Sequence, residues 1–364
     1  MIRYYSDKTS DPQSEMTPMK LSSSLKRFLR RFKLWQKILL IVVIVELALH
    51  IFVPGLNDAT YYQYAIVLED HGFDEDSELF WKPSDDFAPQ LKRVREYAGP
   101  NLIYTLGGSI AWGWEIKETF SRVLERELSN SGVDAAVVNF GVEGYATHQN
   151  RVLTQKLCEK RPPDILLLAN AYNDTLWETP LTDREAAQRN QATSIKILYV
   201  LNRSRLFVLY RHLLLGIKRR LTGYVQPDAG AGHQVRAPLP DYRENLDAIA
   251  RLGETYGFSL VLIAQPLPKR QKEAELEPYF QVMWETAEAY DNVFTADPRP
   301  LFAAYRKEHN VPYQEGMGFY PDALFLDHYC HPTVIGHQMY ATAILQTLRD
   351  NKLLKQEKVN GNGK

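Results

Sequence analysis

From residue 101 onward the chain alternates short apolar runs with amphipathic helical patterns, and this alternation limits the possible folds more than any other feature. The runs cover 102–106, 135–140, 164–169, 258–264 and, more weakly, 292–295. Helical spacing of apolar residues covers 120–128, 147–159, 242–256, 273–290 and 334–349. Strands that are apolar on both sides need cover on both faces, and helices between them supply the crossovers that parallel strands require. The expected fold is α/β, a three-layer α/β/α sandwich on a parallel, flavodoxin-like sheet, spanning 101–350. One stretch, 176–240, breaks the alternation. It holds a basic amphipathic segment, 204–220, and then a Gly/Pro/Ala-rich stretch. It reads as a helical insertion, either packed on the core or lying on a membrane surface.

Ahead of this domain lies a second constraint. Residues 38–53 are almost wholly apolar, and as a helix they reach roughly 24 Å. A bilayer core is about 30 Å thick, and Phe32, Leu34 and Trp35 can extend the span. Glu46 and His50 oppose insertion, but they stand four residues apart on one helix face and can pair. No small-residue cleavage site follows, so the run reads as a retained transmembrane signal anchor at 38–54 rather than a cleaved signal peptide or a core helix. Residues 1–20 read as a disordered tail, 21–37 as a basic juxtamembrane helix, 55–100 as an irregular acidic lead-in and 351–364 as a flexible tail. The basic flank keeps the N-terminus cytoplasmic. The expected protein is therefore a single-pass inner-membrane protein, partnered by the lipid bilayer, with its main domain in the periplasm.

The chemistry concentrates after the first strand. In 103–113 an apolar run ends in Gly107 and Gly108, then Ser109, then a helical pattern. That places Ser109 on a tight strand-to-helix turn, its hydroxyl exposed beside free backbone N–H groups. A serine nucleophile needs a base, and the base needs an orienting partner. His331 and Asp327 supply these just before the last helix. Loops that follow parallel strands converge at the carboxyl edge of the sheet, so 107–113, 139–144, 171–174 and 327–331 meet there. A Gly-x-Ser-x-Gly elbow, a P-loop and a dinucleotide fingerprint are all missing. No metal-ligand spacing occurs, so no metal and no cofactor is expected. A net charge of −1 gives no ground for a nucleic-acid partner. Two cysteines, Cys158 and Cys330, make no disulfide framework and read as buried thiols.

These four stretches, in this order, resemble the SGNH (GDSL-like) hydrolases, over about two thirds of the chain. The resemblance implies Ser109 as nucleophile, His331 as base, and an oxyanion hole built from the Ser109 N–H, the Gly144 N–H and the Asn173 side-chain amide. There are two departures. Gly107-Gly108-Ser109 stands where the family often has Gly-Asp-Ser. Asp327 and His331 are one residue further apart than the usual Asp-x-x-His, so either the loop bulges or another group orients the base. His328 is a rival base. The activity implied is a serine esterase or O-acyltransferase acting on acyl groups of an envelope glycan. A lipid acylhydrolase and a non-catalytic glycan-binding scaffold are the alternatives. Trp112, Trp114 and Tyr145 are candidate sugar-stacking rings.

Overall fold

The computed structural model describes residues 33–53, 72–176, 181–202, 204–222, 234–314 and 321–355. The expected N-terminal tail, residues 356–364 of the C-terminal one, and parts of the juxtamembrane helix and lead-in lie outside them; residues 351–355, expected as flexible tail, are described, and Lys355 N–H donates to Asn101 Oδ1 at 2.7 Å. The chain divides into two compact units, one of 1–57 with 202–216 and one of 58–201 with 217–364.

In the first unit, helix α1 (Leu34–Phe52) has 19 residues and buries none of its side chains. At 1.5 Å per residue it is about 28 Å long, close to a bilayer core. Its length and composition suit a membrane crossing.

The second unit opens with a feature the sequence reading missed. The expected irregular lead-in contains an antiparallel hairpin of β1 (Phe73–Asp76) and β2 (Phe80–Pro83), followed by helix α2 (Ala88–Glu96). Asp76 fixes the hairpin turn, its carboxylate accepting the N–H groups of Glu78 and Leu79 at 2.9 Å each. Phe80 and Trp81 are then driven into the core.

The alternating pattern follows as expected: β3 (Leu102–Gly107), the short α3 (Ser109–Trp112), α4 (Phe120–Asn130), β4 (Ala136–Asn139), α5 (Thr147–Lys160) and β5 (Ile165–Ala169). The insertion supplies α6 (Asp183–Gln191), α7 (Thr193–Asn202) and α8 (Arg205–Thr222). Then come α9 (Leu239–Tyr256), β6 (Ser259–Ile263), α10 (Arg270–Ala289), β7 (Val293–Ala296), the unanticipated α11 (Arg299–His309) and the closing α12 (Val334–Asp350).

The sheet runs β4-β3-β5-β6-β7 with every pair parallel. The chain steps one way from β3 to β4 and the other way from β4 to β5. Right-handed crossovers therefore put α4 on one face and α5, α9 and α10 on the other. Helix α12 packs on α4 and completes the third layer. The direction changes around β3, so the crevice at the carboxyl ends of β4, β3 and β5 is the topological switch point.

Candidate active site

Three loops leave the sheet at that crevice. Gly107 pairs with Ala169 in register, so the turns after β3 and β5 start side by side. Val142 N–H donates to the Gly107 carbonyl at 3.1 Å, bringing in the turn after β4. Asn139 closes that turn, accepting Gly141 N–H at 2.8 Å and donating to the Ala111 carbonyl.

Ser109 opens α3 with 7% of its surface exposed, so its hydroxyl sits in a slot and not on an open turn as the sequence suggested. Its Oγ lies 2.8 Å from His331 Nε2. The other ring nitrogen, Nδ1, is hydrogen-bonded to Asp327 Oδ2. The longer Asp-to-His spacing is absorbed by a tight turn around the carboxylate. Asp327 Oδ1 accepts the backbone N–H groups of Tyr329, Cys330 and His331 at 3.0, 3.1 and 3.2 Å. One oxygen thus folds the loop while the other faces the imidazole. Burial opposes the Asp327 charge, but the His331 ring and these N–H donors outweigh it and hold the carboxyl below its ordinary value. His328 does not take the base position; its ring lies against Tyr329, with centroids 3.9 Å apart.

Cys330 is buried between these groups. Burial and the Asp327 charge push its thiol far up, so it stays a neutral S–H and offers no rival nucleophile. Cys158 is also a buried free thiol. Trp114 stacks on His331, with centroids 4.3 Å apart and planes 22° apart.

The expected oxyanion donors stand on the three turns that follow β3, β4 and β5. The backbone N–H groups of Ser109 and Gly144 have no hydrogen-bond partner among the described residues. Asn173 begins a single 3-10 turn, and its Nδ2 donates to the Tyr145 carbonyl at 2.9 Å. That amide presses against Gly108: a Cβ there would lie 2.2 Å from Nδ2. Any side chain at position 108 would displace this amide. Asp174 anchors the turn from below, accepting Thr147 N–H at 2.9 Å and the Thr147 hydroxyl at 2.6 Å. Burial pushes the Asp174 carboxyl up to about 6. Next to it Ala171 adopts φ +113°, a left-handed conformation that side-chain-bearing residues rarely hold.

One of the proposed sugar-stacking rings is spoken for. Tyr145 is fully buried, its hydroxyl donating to the Trp81 carbonyl and its ring edge-on to Trp81, so it has no face for a ligand. Trp112 packs half-buried against Phe73, with centroids 6.0 Å apart. Sequence reasoning also missed Arg236, which is 1% exposed. Its guanidinium pairs with Asp183 at 3.0 Å and donates to the carbonyl of Gly144. Gly144 itself has φ +74°, a conformation suited to glycine, and rests on the Trp81 indole. An isolated arginine in a Gly/Pro-rich stretch carries no signal of such a role. A groove of about 590 Å³, lined in part by Tyr172, Thr175, Leu176 and Tyr279, flanks the Asn173 turn.

The sequence matches no protein-family model and no curated protein. The structure is similar to several solved ones. An α/β hydrolase from the metagenome of Lake Arreo, Spain, is 15% identical, covers 71% of this chain and 99% of its own, and gives a TM-score of 0.45. A variant acetyl xylan esterase from Geobacillus stearothermophilus is 14% identical over 71% of this chain and 98% of its own, at 0.43. A G-D-S-L family lipolytic protein from Desulfitobacterium hafniense is 12% identical over 70% of this chain and 100% of its own, at 0.40. At such scores and identities, the reading of this chain rests on its own residues.

Proposed function

We propose that this chain is a membrane-anchored member of the SGNH (GDSL-like) hydrolases, a serine esterase or O-acyltransferase. The observation that carries this reading is the relay from Ser109 through His331 to Asp327, with 2.8 Å between nucleophile and base. Ser109 Oγ attacks an ester carbonyl carbon while His331 Nε2 takes its proton. The Ser109 and Gly144 N–H groups and the Asn173 amide receive the developing oxyanion, and Asn173 gives up or shares its bond to the Tyr145 carbonyl. Collapse expels the alcohol, which takes the proton from Nε2, and leaves an acyl-serine. Water, or another hydroxyl, gives its proton to Nε2 as it attacks the acyl carbon; the second collapse breaks the bond from that carbon to Ser109 Oγ, releases the free acid or the new ester, and returns the Nε2 proton to Ser109 Oγ. Trp114 and the Asp327 carboxylate keep the imidazole aimed through both halves. A scaffold that merely bound glycan would have no use for a serine held against an oriented base.

The substrate class we propose is an O-acylated, chiefly O-acetylated, envelope glycan, met on the periplasmic side of the membrane that α1 crosses. The family resemblance and the basic residues ahead of α1 support this. A lipid acylhydrolase is the second reading, favoured by exposed leucines on α8. A fluorophosphonate probe should label the full-length protein and not its Ser109→Ala variant. Acetyl esters should turn over faster than long-chain esters; the reverse preference moves the assignment to lipid. A C-terminal alkaline phosphatase fusion should be active and stay with membranes, and a released, shortened product would exclude the anchor.

A further inference from the structure

Glu46 is the one acidic residue of α1, and in a membrane span it needs a reason to be there. The structure supplies one within the first compact unit. The Glu46 carboxylate accepts the Arg205 N–H at 2.7 Å, the Leu206 N–H at 2.9 Å and the Ser204 hydroxyl at 3.0 Å. Ser204 Oγ in turn accepts the Phe207 N–H at 3.2 Å, and the Ser204 carbonyl accepts the Val208 N–H at 3.1 Å. The first four N–H groups of α8 are thus all satisfied by protein. His50, one turn on from Glu46, places Nδ1 2.9 Å from the Glu46 carbonyl and 3.5 Å from its carboxylate.

Helix ends at a protein surface commonly leave such groups to water. In hydrocarbon no water is there to take them, and every one must be satisfied internally. Glu46 also fixes the depth of the contact. It stands six residues before the end of α1, about 9 Å inside that end. Whatever bonds to it is inside the bilayer if α1 spans it.

The rest of α8 fits that location. Leu209, Tyr210, Leu213, Leu214, Ile217 and Leu221 are exposed. At 100° per residue they occupy one stripe about 140° wide; Arg211 and Lys218 lie outside it, and Arg220, in the last turn, is the charged residue that falls within it. Arg205 begins the helix at the carboxylate, and its stem is long enough to carry the guanidinium toward the headgroups.

We propose that α8 is a second membrane-seated element, starting inside the bilayer at Glu46 with its apolar stripe against lipid acyl chains. This goes beyond the esterase reading and rests only on α1 crossing the membrane. The covering partner is lipid, because the helix start is tied to a bilayer-depth residue and is sealed as hydrocarbon demands.

The test uses the full chain in vesicles of phosphatidylcholine and phosphatidylglycerol at about 3:1, a fluid bilayer with anionic headgroups for the basic face of α8. Nitroxide labels go on Leu209→Cys, Leu213→Cys, Leu47→Cys in the anchor and Lys117→Cys in the sheet unit. Collisions with oxygen report hydrocarbon, and collisions with a water-soluble nickel chelate report water. Labels at 47, 209 and 213 should favour oxygen, and the label at 117 should favour nickel. Nickel preference at 209 and 213 with oxygen preference at 47 overturns the proposal and leaves the anchor standing. Low collision with both reagents at 209 and 213 means protein covers the stripe, and also overturns it. Nickel preference at 47 removes the anchor and the proposal together. Glu46→Ala should raise nickel collisions at 213 about fivefold, the loss expected from removing a cap, and Glu46→Gln should restore most of the difference. An unchanged Glu46→Ala profile refutes the capping role.

Discussion

Replacing Gly108 by alanine isolates the proposed oxyanion donor, Asn173, from the rest of the site. The backbone there, φ −83° and ψ −150°, does not require glycine. The new methyl group meets one serious obstacle, the Asn173 Nδ2 at 2.2 Å, with the Tyr145 carbonyl next at 3.1 Å. A contact of 2.2 Å cannot persist, so the amide must swing away from the Ser109 turn. Ser109, His331 and Asp327 are untouched. The loss should be that of one oxyanion donor, about 3 kcal/mol in barrier or 10²- to 10³-fold in kcat. Folding should lose no more than the Asn173–Tyr145 hydrogen bond, about 1 kcal/mol. The two effects separate by measuring acetyl-ester turnover beside denaturant midpoints. The decisive step is a double-mutant cycle. Asn173→Ala removes both the donor and the obstacle, so adding Gly108→Ala to it should cost little more, well under threefold. Full activity in Gly108→Ala, or losses that multiply in the double variant, would refute the assignment of Asn173 as a donor.

Ser109→Ala and His331→Ala should each abolish ester turnover, and the double variant should be no worse, because nucleophile and base act as a unit. His328→Ala should keep most activity; if it proves the inactive variant, the base is misassigned. Asp327→Asn keeps an acceptor for the three loop N–H groups but presents an amide to His331, favouring the wrong tautomer. It should lose about 10²-fold or more in kcat, less than His331→Ala, with the denaturant midpoint little moved. Burial holds His337 neutral, its value lowered from 6.5 to about 4, and its Nδ1 accepts the Phe120 N–H at 3.2 Å. As pH falls below 6.5 the unfolded chain takes up this proton before the folded one, so stability drops until about pH 4, by roughly 3 kcal/mol for this residue. His148 acts with the same sign and Asp174 with the opposite one. The test is therefore the difference between wild type and His337→Gln in urea unfolding at pH 7 and pH 4.5, and equal acid losses in the two proteins would count against the assignment.

The sheet was legible because its strands are largely apolar, β5 wholly so, and β5 and β6 appear within a residue of their expected ends. The hairpin of β1 and β2 was not, since its first strand, Phe-Asp-Glu-Asp, has neither alternation nor β-branched residues. It exists because Phe80 and Trp81 are buried by residues distant in sequence. Ser109 and His331 could be read from local motifs, whereas the geometry of Asp327 could not. Its extra residue looked like a misfit until one oxygen was seen to fold the turn and the other to face the ring. Tyr145 shows the converse error: a tyrosine beside a candidate oxyanion glycine looks like a ligand contact, and only burial reveals it as a core ring.

The clamp of Arg236 on the Gly144 carbonyl reaches across 92 residues of sequence, from the far end of the insertion back to the oxyanion turn. The insertion is therefore not a removable ornament. A deletion that joined α6 directly to α9 would spare all three relay residues and still leave the Gly144 turn without its fastening and Asp183 without its counter-charge. The same dependence orders events during synthesis. When the ribosome has delivered β3, β4 and β5, the Ser109 and Gly144 turns are present without the Arg236 clamp. Residue 236 follows, and His331 about a hundred residues later still, so a nascent or truncated chain carries the proposed nucleophile without its proposed base.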